Sequence, residues 1–581
     1  MRLGAAAAAA LVLTLAPRPA PAACVIRNFA ELPVTMVGTR PLIQARINGA
    51  PVMLMADSGA FYSFLSPGTA AQYHLPLDPA PFGMISLGVG GSAALSVARV
   101  QAFTLAGVLV PKAVFLVGGS EVGGEAVGLI GQNILGIADV EYDLAGGVIR
   151  LMRPDGCGDK PLAYWAGPSL PYGMVNIAPV EPRNPHTSGA ALINGVKINV
   201  IFDTGASMSM LKRSAAKRVG IALDGPGVTS AGFSGGIGRR PVQTWIAPVA
   251  TFEIGGEKVE HTRLRIGDSD IPGGDMLLGA DFFLSHRVYV ANGQHRLYFT
   301  YNGGPVFNLG VIPEGQATAT APAQAEPADA AAFARRGDAE AGRRDYPLAI
   351  ADLTRAIELD PKSPDYPYRR GLAHLGAGQS ALAAADLDRA LDMAPSDARA
   401  LIVRATLRLT EHRTADALAD LDAADKVLAT AADARLSMGK LYLLVYALPR
   451  AIDQYDRWIK AHPDDHHMVE ALAGRCRARA ILGQDLSAAM TDCQRAIRIQ
   501  PGWGSLEGRA FVRLRQVRFD KAIADFDQVV SLEPKAAWPL YGRGLAKLKM
   551  GLSDQGKADI AAAAVIDPKI ANETAKYGLT P

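Results

Sequence analysis

The sequence predicts a multidomain chain: an all-β unit of two similar lobes, followed by an all-α solenoid of short helical repeats. Three observations predict it. An acidic turn behind an apolar run occurs twice, as Asp57-Ser58-Gly59-Ala60 and as Asp203-Thr204-Gly205-Ala206, 146 residues apart. The residues around the two copies stay in register far beyond the four of the turn. Past residue 330 the alternation of short strands gives way to helical patterning, with prolines recurring about every 34 residues. Length agrees, because 581 residues exceed what one core supports. So does composition: 49% hydrophobic and 20% charged residues are globular proportions. A net charge of +3, with no basic run interleaved with aromatics, excludes nucleic acid as a partner.

Residues 1–23 have the plan of a secretory signal peptide. Arg2 precedes an apolar stretch from Leu3 to Ala16, and Ala20-Pro21-Ala22 supplies a small-residue cleavage site. The stretch is too short and too rich in alanine to span a bilayer, so no stable membrane insertion is expected after cleavage. Cys24 raises lipoprotein anchoring as an alternative, which Pro21, three residues before it, disfavours. A periplasmic or secreted protein is expected. The four cysteines suit that compartment, and the simplest of their three pairings is Cys24 with Cys157 and Cys476 with Cys493.

Lobe 1 is placed at 28–154 and lobe 2 at 172–301, joined by a connection over about 155–190. In each, an Asn-Gly turn (Asn48-Gly49, Asn194-Gly195) marks a hairpin whose second strand delivers the acidic turn. Ser63 and Ser209, Leu65 and Leu211, Ala70 and Ala216 keep the register through a short helix or turn. Apolar-apolar-Gly segments ending at Gly131 and Gly279 follow 74 and 76 residues after the aspartates, and a last hairpin closes each copy. Short strands separated by Gly-rich turns make both lobes all-β.

This combination resembles the aspartic proteases, most closely their retropepsin-like branch, over residues 28–301. The resemblance implies that Asp57 and Asp203 form a catalytic dyad. Ser58, Gly59, Thr204 and Gly205 would support it, the hydroxyls interlocking across the lobe interface and the glycines leaving room for water and substrate. It also implies flaps, for which Gly88 and Gly90 in the first lobe and Gly235 and Gly236 in the second are the candidates. The chemistry fits the residue types: two adjacent carboxylates cannot both ionise, so they share a proton and supply an acid and a base from identical side chains. Phe61 and Tyr62 depart from the second copy, which has Ser207 and Met208 there, and narrow a pocket or mark a drifted lobe. The sequence leaves open whether the two lobes pair within the chain or each with its copy in a second chain; the short connection favours the former.

Residues 302–329, rich in Ala, Pro, Thr and Gln, read as a flexible linker. Beyond it, prolines at 361, 395, 463, 501, 534 and 568 keep a period of about 34, with one missing near Ala429. Gly337, Gly371, Gly439 and Gly544 fall in first helices; Ala349, Ala383, Ala417, Ala451, Ala489 and Ala522 fall at helix crossings. This resembles the tetratricopeptide repeats over 330–568, some seven units, with a tail at 569–581, and implies a groove for a protein partner. Cys476 and Cys493 then lie in the two helices of one unit.

The expected activity is an exported aspartic endopeptidase acting on a peptide or protein substrate, without cofactor. The rival is a non-catalytic scaffold that holds peptides in its β lobes. No CxxC, HExxH or Cys/His cluster points to a metal, and His466-His467 reads as part of a loop between helices.

Overall fold

The computed structural model describes residues 24–81, 84, 86–89, 91–120, 122–123, 125–167, 170–180, 186–236, 242–268, 273–307 and 326–581. Residues 1–23, expected to be a signal peptide, Gly90 and most of the expected linker lie outside the described residues.

The strands of the two lobes surround one shared apolar core. In lobe 1, strand Arg40–Ile47 turns at Asn48-Gly49 into Ala50–Ala56, which then pairs in parallel with Ala126–Ile130. Lobe 2 repeats this: Ser188–Ile193 turns at Asn194-Gly195 into Val196–Phe202, which runs parallel to Met276–Leu278. Both asparagines adopt positive φ, as the tight turn needs. The apolar-apolar-Gly segments are therefore the parallel neighbours of the strands that carry the aspartates.

Six strands, three from each lobe, form one sheet beneath both: 173–176, 296–301, 286–291, 139–143, 148–155 and 25–37, in that order. Its centre is the antiparallel pairing of Asp139–Asp143 with His286–Ala291, where Tyr142 faces Val288 and Glu141 faces Tyr289. Glu141 is fully buried and accepts from Arg150, Arg287 and the Tyr164 hydroxyl. A buried carboxylate is tolerated only when its charge and lone pairs are matched this fully. Cys24 and Cys157 are bonded at one edge of the sheet. This sheet joins the lobes within one chain, the alternative the short connection favoured.

The C-terminal half is a run of paired helices from Ala330–Gly342 and Tyr346–Leu359 to Ala537–Lys549 and Ser553–Ile566, stacked as a tetratricopeptide solenoid. A further helix, Ile570–Ala575, covers its end, in a tail the sequence pattern left without structure. The six crossing alanines are all completely buried. The first-helix glycines are there for lack of room: a Cβ at Gly337 would lie 3.1 Å from the Ala349 carbonyl oxygen, one at Gly439 2.8 Å from the Tyr455 ring, and one at Gly544 2.7 Å from Ile560.

An ion-pair ladder runs through the stack. Arg336, Arg370, Arg404, Arg509 and Arg543 each grip an aspartate 16 residues on through two nitrogens (Asp352, Asp386, Asp420, Asp525 and Asp559). Arg475 grips Asp492 through two nitrogens as well, but 17 residues on. The unit at 434–461 lacks the pair, having Met438 and Gln454 at the two positions. There the buried Arg435 bonds Gln454, Asp425 and the carbonyls of Leu428 and Ala429. Those carbonyls belong to the stretch where the periodic proline is missing; a guanidinium fixes the turn that proline fixes elsewhere.

Cys476 and Cys493 are bonded across the two helices of one unit, 17 residues apart. Closing a loop of that size in the unfolded chain stabilises by about 3 kcal/mol. The Cys476→Ser, Cys493→Ser double variant is expected to lose about that much, read as a lower urea midpoint of the helical signal.

The solenoid is docked on the β unit. Arg343 donates to the Leu284 carbonyl, Ala339 belongs to the apolar core of the lobes, and a Cβ at Gly342 would lie 2.6 Å from the Gly38 carbonyl. Further along, Arg399 pairs with Glu125 at 3.2 Å.

Candidate active site

Asp57 and Asp203 each follow the last residue of a buried strand, and each backbone N–H is fixed by the parallel neighbour. Asp57 donates to the Ile130 carbonyl at 2.9 Å and Asp203 to that of Leu278 at 2.8 Å. One carboxylate oxygen of each then accepts two N–H bonds from its own turn: Gly59 and Ala60 for Asp57, Gly205 and Ala206 for Asp203. Such a turn orients a carboxyl group rigidly.

The two turns interlock. The Ser58 N–H donates to Thr204 Oγ1 at 2.9 Å, and the Thr204 N–H to Ser58 Oγ at 3.0 Å. The hydroxyls in turn donate across the interface, Ser58 to the Phe202 carbonyl and Thr204 to that of Ala56. Both side chains are buried. The glycines pack on the opposite carboxyl group, since a Cβ at Gly59 would fall 2.3 Å from Asp203 Cγ and one at Gly205 2.3 Å from Asp57 Cγ. Overpacking of this kind costs about 1–3 kcal/mol. Gly205→Ala is therefore expected to lower the thermal midpoint and part the lobes, whereas Gly293→Ala, with open space around it, leaves the midpoint unchanged.

The aspartates lie close enough to share a hydrogen bond between their side chains, and each is less than a tenth exposed. Burial pushes the Asp57 carboxyl well above its ordinary range, and the neighbouring Asp203 charge raises it further against the turn N–H groups. Asp203 is raised as well, by burial, with the Ala206 N–H and the Asp57 bond opposing. Two buried carboxyl groups in contact retain a proton that either alone would lose.

Several supporting residues escaped the sequence reading. Gln132, just past Gly131, donates to the Ser58 carbonyl at 3.0 Å. Asn133 accepts from Ser63, and Asp281 in the second lobe accepts from Ser209, so each serine anchors the strand behind its own turn. Continuing the register of the two copies two residues past Gly131 and Gly279 reaches both acceptors. His186 Nδ1 lies 2.7 Å from the Gly59 carbonyl. It precedes Asp203 by 17 residues, as Arg40 precedes Asp57, a spacing no motif announces.

The Gly-rich candidates fall at hairpins. Ser86–Gly88 pairs with Gly91–Ala93, and Thr229–Ser234 pairs with the long strand from Val242, with Gly235 and Gly236 just past Ser234. The hairpins approach each other: a Cβ at Gly236 would lie 3.1 Å from that of Val89.

Both lobes match the aspartyl protease family. The matches span residues 43–134 and 190–282, one per lobe, each holding its acidic turn and its apolar-apolar-Gly strand. No curated protein matches the chain. Several solved structures are similar to part of the chain. A tetratricopeptide repeat protein from Parabacteroides merdae is 19% identical over 43% of this chain and 98% of its own, with a TM-score of 0.33. The Cut9–Hcn1 hetero-tetramer of the APC/C is 14% identical over 42% of this chain and 52% of that one, with a TM-score of 0.31. The C-terminal part of a repeat protein from Cytophaga hutchinsonii is 14% identical over 42% and 98%, with a TM-score of 0.29. The chain joins two aspartyl-protease-like lobes to an array of paired helices.

Proposed function

We propose that the chain is an exported aspartic endopeptidase whose repeats bind a protein partner or substrate. The observation that carries the reading is the interlocked pair of turns, which aims two buried carboxyl groups at each other from opposite lobes. With the shared proton on Asp57, that carboxyl group hydrogen-bonds the carbonyl oxygen of the scissile peptide. Asp203 takes a proton from the water between them as its oxygen attacks the carbonyl carbon. The tetrahedral intermediate then collapses, its C–N bond breaks, and the leaving nitrogen takes a proton from the dyad. One water is consumed, and a carboxylic acid and an amine are released. The Gly-rich hairpins act as flaps that exclude bulk water.

Export rests on the secretory pattern of residues 1–23 and on two disulfides, which persist in oxidising compartments such as the periplasm. No helix among the described residues is long and apolar enough to cross a membrane.

The experiment is cleavage of a diverse peptide library by the full chain from acidic to neutral pH. Cleavage at defined bonds is expected. A correctly folded wild type that cuts nothing at any pH would leave the scaffold reading, in which the lobes hold peptides intact.

A further inference from the structure

The turn between helices Leu448–Ala461 and Met468–Leu482 meets the β unit beside the second hairpin. A Cβ at Gly235 would lie 2.4 Å from His466 Cδ2 and 2.6 Å from its Nε2, so one edge of that imidazole rests on the glycine. The Ser120 hydroxyl ties the contact together, accepting from the His466 N–H and donating to the Gly236 carbonyl, both at 3.2 Å. The other edge of the ring carries Nδ1, which is buried and makes no hydrogen bond. It lies 3.6 Å from Asp465 Oδ1, and the same oxygen lies 3.0 Å from His467 Nδ1.

Two imidazoles and a carboxylate thus offer donor atoms all within 4.8 Å of one another. Nitrogen and oxygen ligands at about 2.0–2.2 Å around a tetrahedral ion stand about 3.3–3.5 Å apart, close to the 3.0 and 3.6 Å found here. Imidazole with carboxylate is a donor set for zinc-class ions, and three protein ligands leave one position for water. Asp433, Asp465 and Glu470 face the two rings with negative charge, opposed by the guanidinium of Arg40, and Glu470 is itself paired with Lys440. A buried polar nitrogen without a hydrogen bond is destabilising, and coordination would remove that cost.

We propose that Asp465, His466 and His467 form a binding site for a zinc-class divalent cation, and that its occupancy fixes the His466 ring against the second hairpin. The ion replaces the proton that His467 donates to Asp465, so binding releases a proton and strengthens with pH. Because the ring uses opposite edges for metal and for Gly235, coordination tightens the grip of the solenoid on the hairpin. The site is independent of whether the lobes cut peptides.

The test is calorimetric titration of ZnCl2 into the untagged, chelator-treated full chain, beside His467→Ala and Asp465→Asn. The second variant keeps an oxygen for the His467 N–H, so it reports on charge and coordination even where the first disturbs the turn. One saturable site, weakened at least about tenfold in the variants, is expected. Absence of saturable binding, or equal affinity in wild type and both variants, overturns the site. Hydrogen exchange at Thr229–Ser234 is read with and without zinc. Slowing in the wild type alone is expected, and unchanged exchange in the zinc-bound wild type overturns the grip on the hairpin.

Discussion

Asp57→Asn and Asp203→Asn are each expected to lower kcat/KM for a cleaved peptide by about 10^3–10^4-fold, because each removes one half of an acid–base pair. The same substitutions are expected to make the fold more stable at neutral pH. Both carboxyl groups are raised above their ordinary range in the folded protein, by burial first. A raised group contributes its full stability below its unfolded value and loses it as pH rises through the folded one. Above that range the native dyad is held at a cost, which an amide of the same shape does not carry. The expected gain is roughly 0.5–2 kcal/mol at pH 7, shrinking toward zero on acidification into the range where both carboxyl groups are protonated. Thermal midpoints of wild type and variants between pH 4 and 7 check it: equal midpoints throughout would mean that the carboxyl groups are neither strained nor coupled. Loss of turnover in one variant only would mean that the lobes are not equal partners in the chemistry.

The second large effect is in the solenoid. Arg370→Ala removes both nitrogens that grip Asp386, a buried aspartate whose other ion-pair partner among the described residues is His374 at 3.6 Å. Breaking a buried pair by deleting one partner leaves an uncompensated charge and costs roughly 3–5 kcal/mol. The urea midpoint of the helical signal should fall accordingly. Arg370→Met with Asp386→Leu deletes both charges and fills their volume, and is expected to restore most of the loss. If the single and double variants were equally unstable, the packing of the arginine stem, and not its charge, would be what matters.

Much of this architecture was legible in the chain itself, for a physical reason in each case. A duplicated turn shows because an aspartate behind a buried strand, followed by a small residue and two positions of tight packing, admits few residue types. The repeat shows because helices must cross closely once per unit, which keeps alanine and glycine at a fixed spacing. What only the tertiary structure decided depends on distance. The lobes pair within one chain because strands 139–143 and 286–291 meet at the centre of a shared sheet. His186 reaches the Gly59 carbonyl across 127 residues of sequence. The solenoid sits on the lobes, although its linker reads as flexible, through Arg343, Arg399 and His466, surface residues in any local pattern. Local sequence determines which elements form and which side chains they can bury. Which charged groups end up facing one another is decided by the packing of elements far apart in the chain, and no periodicity records it.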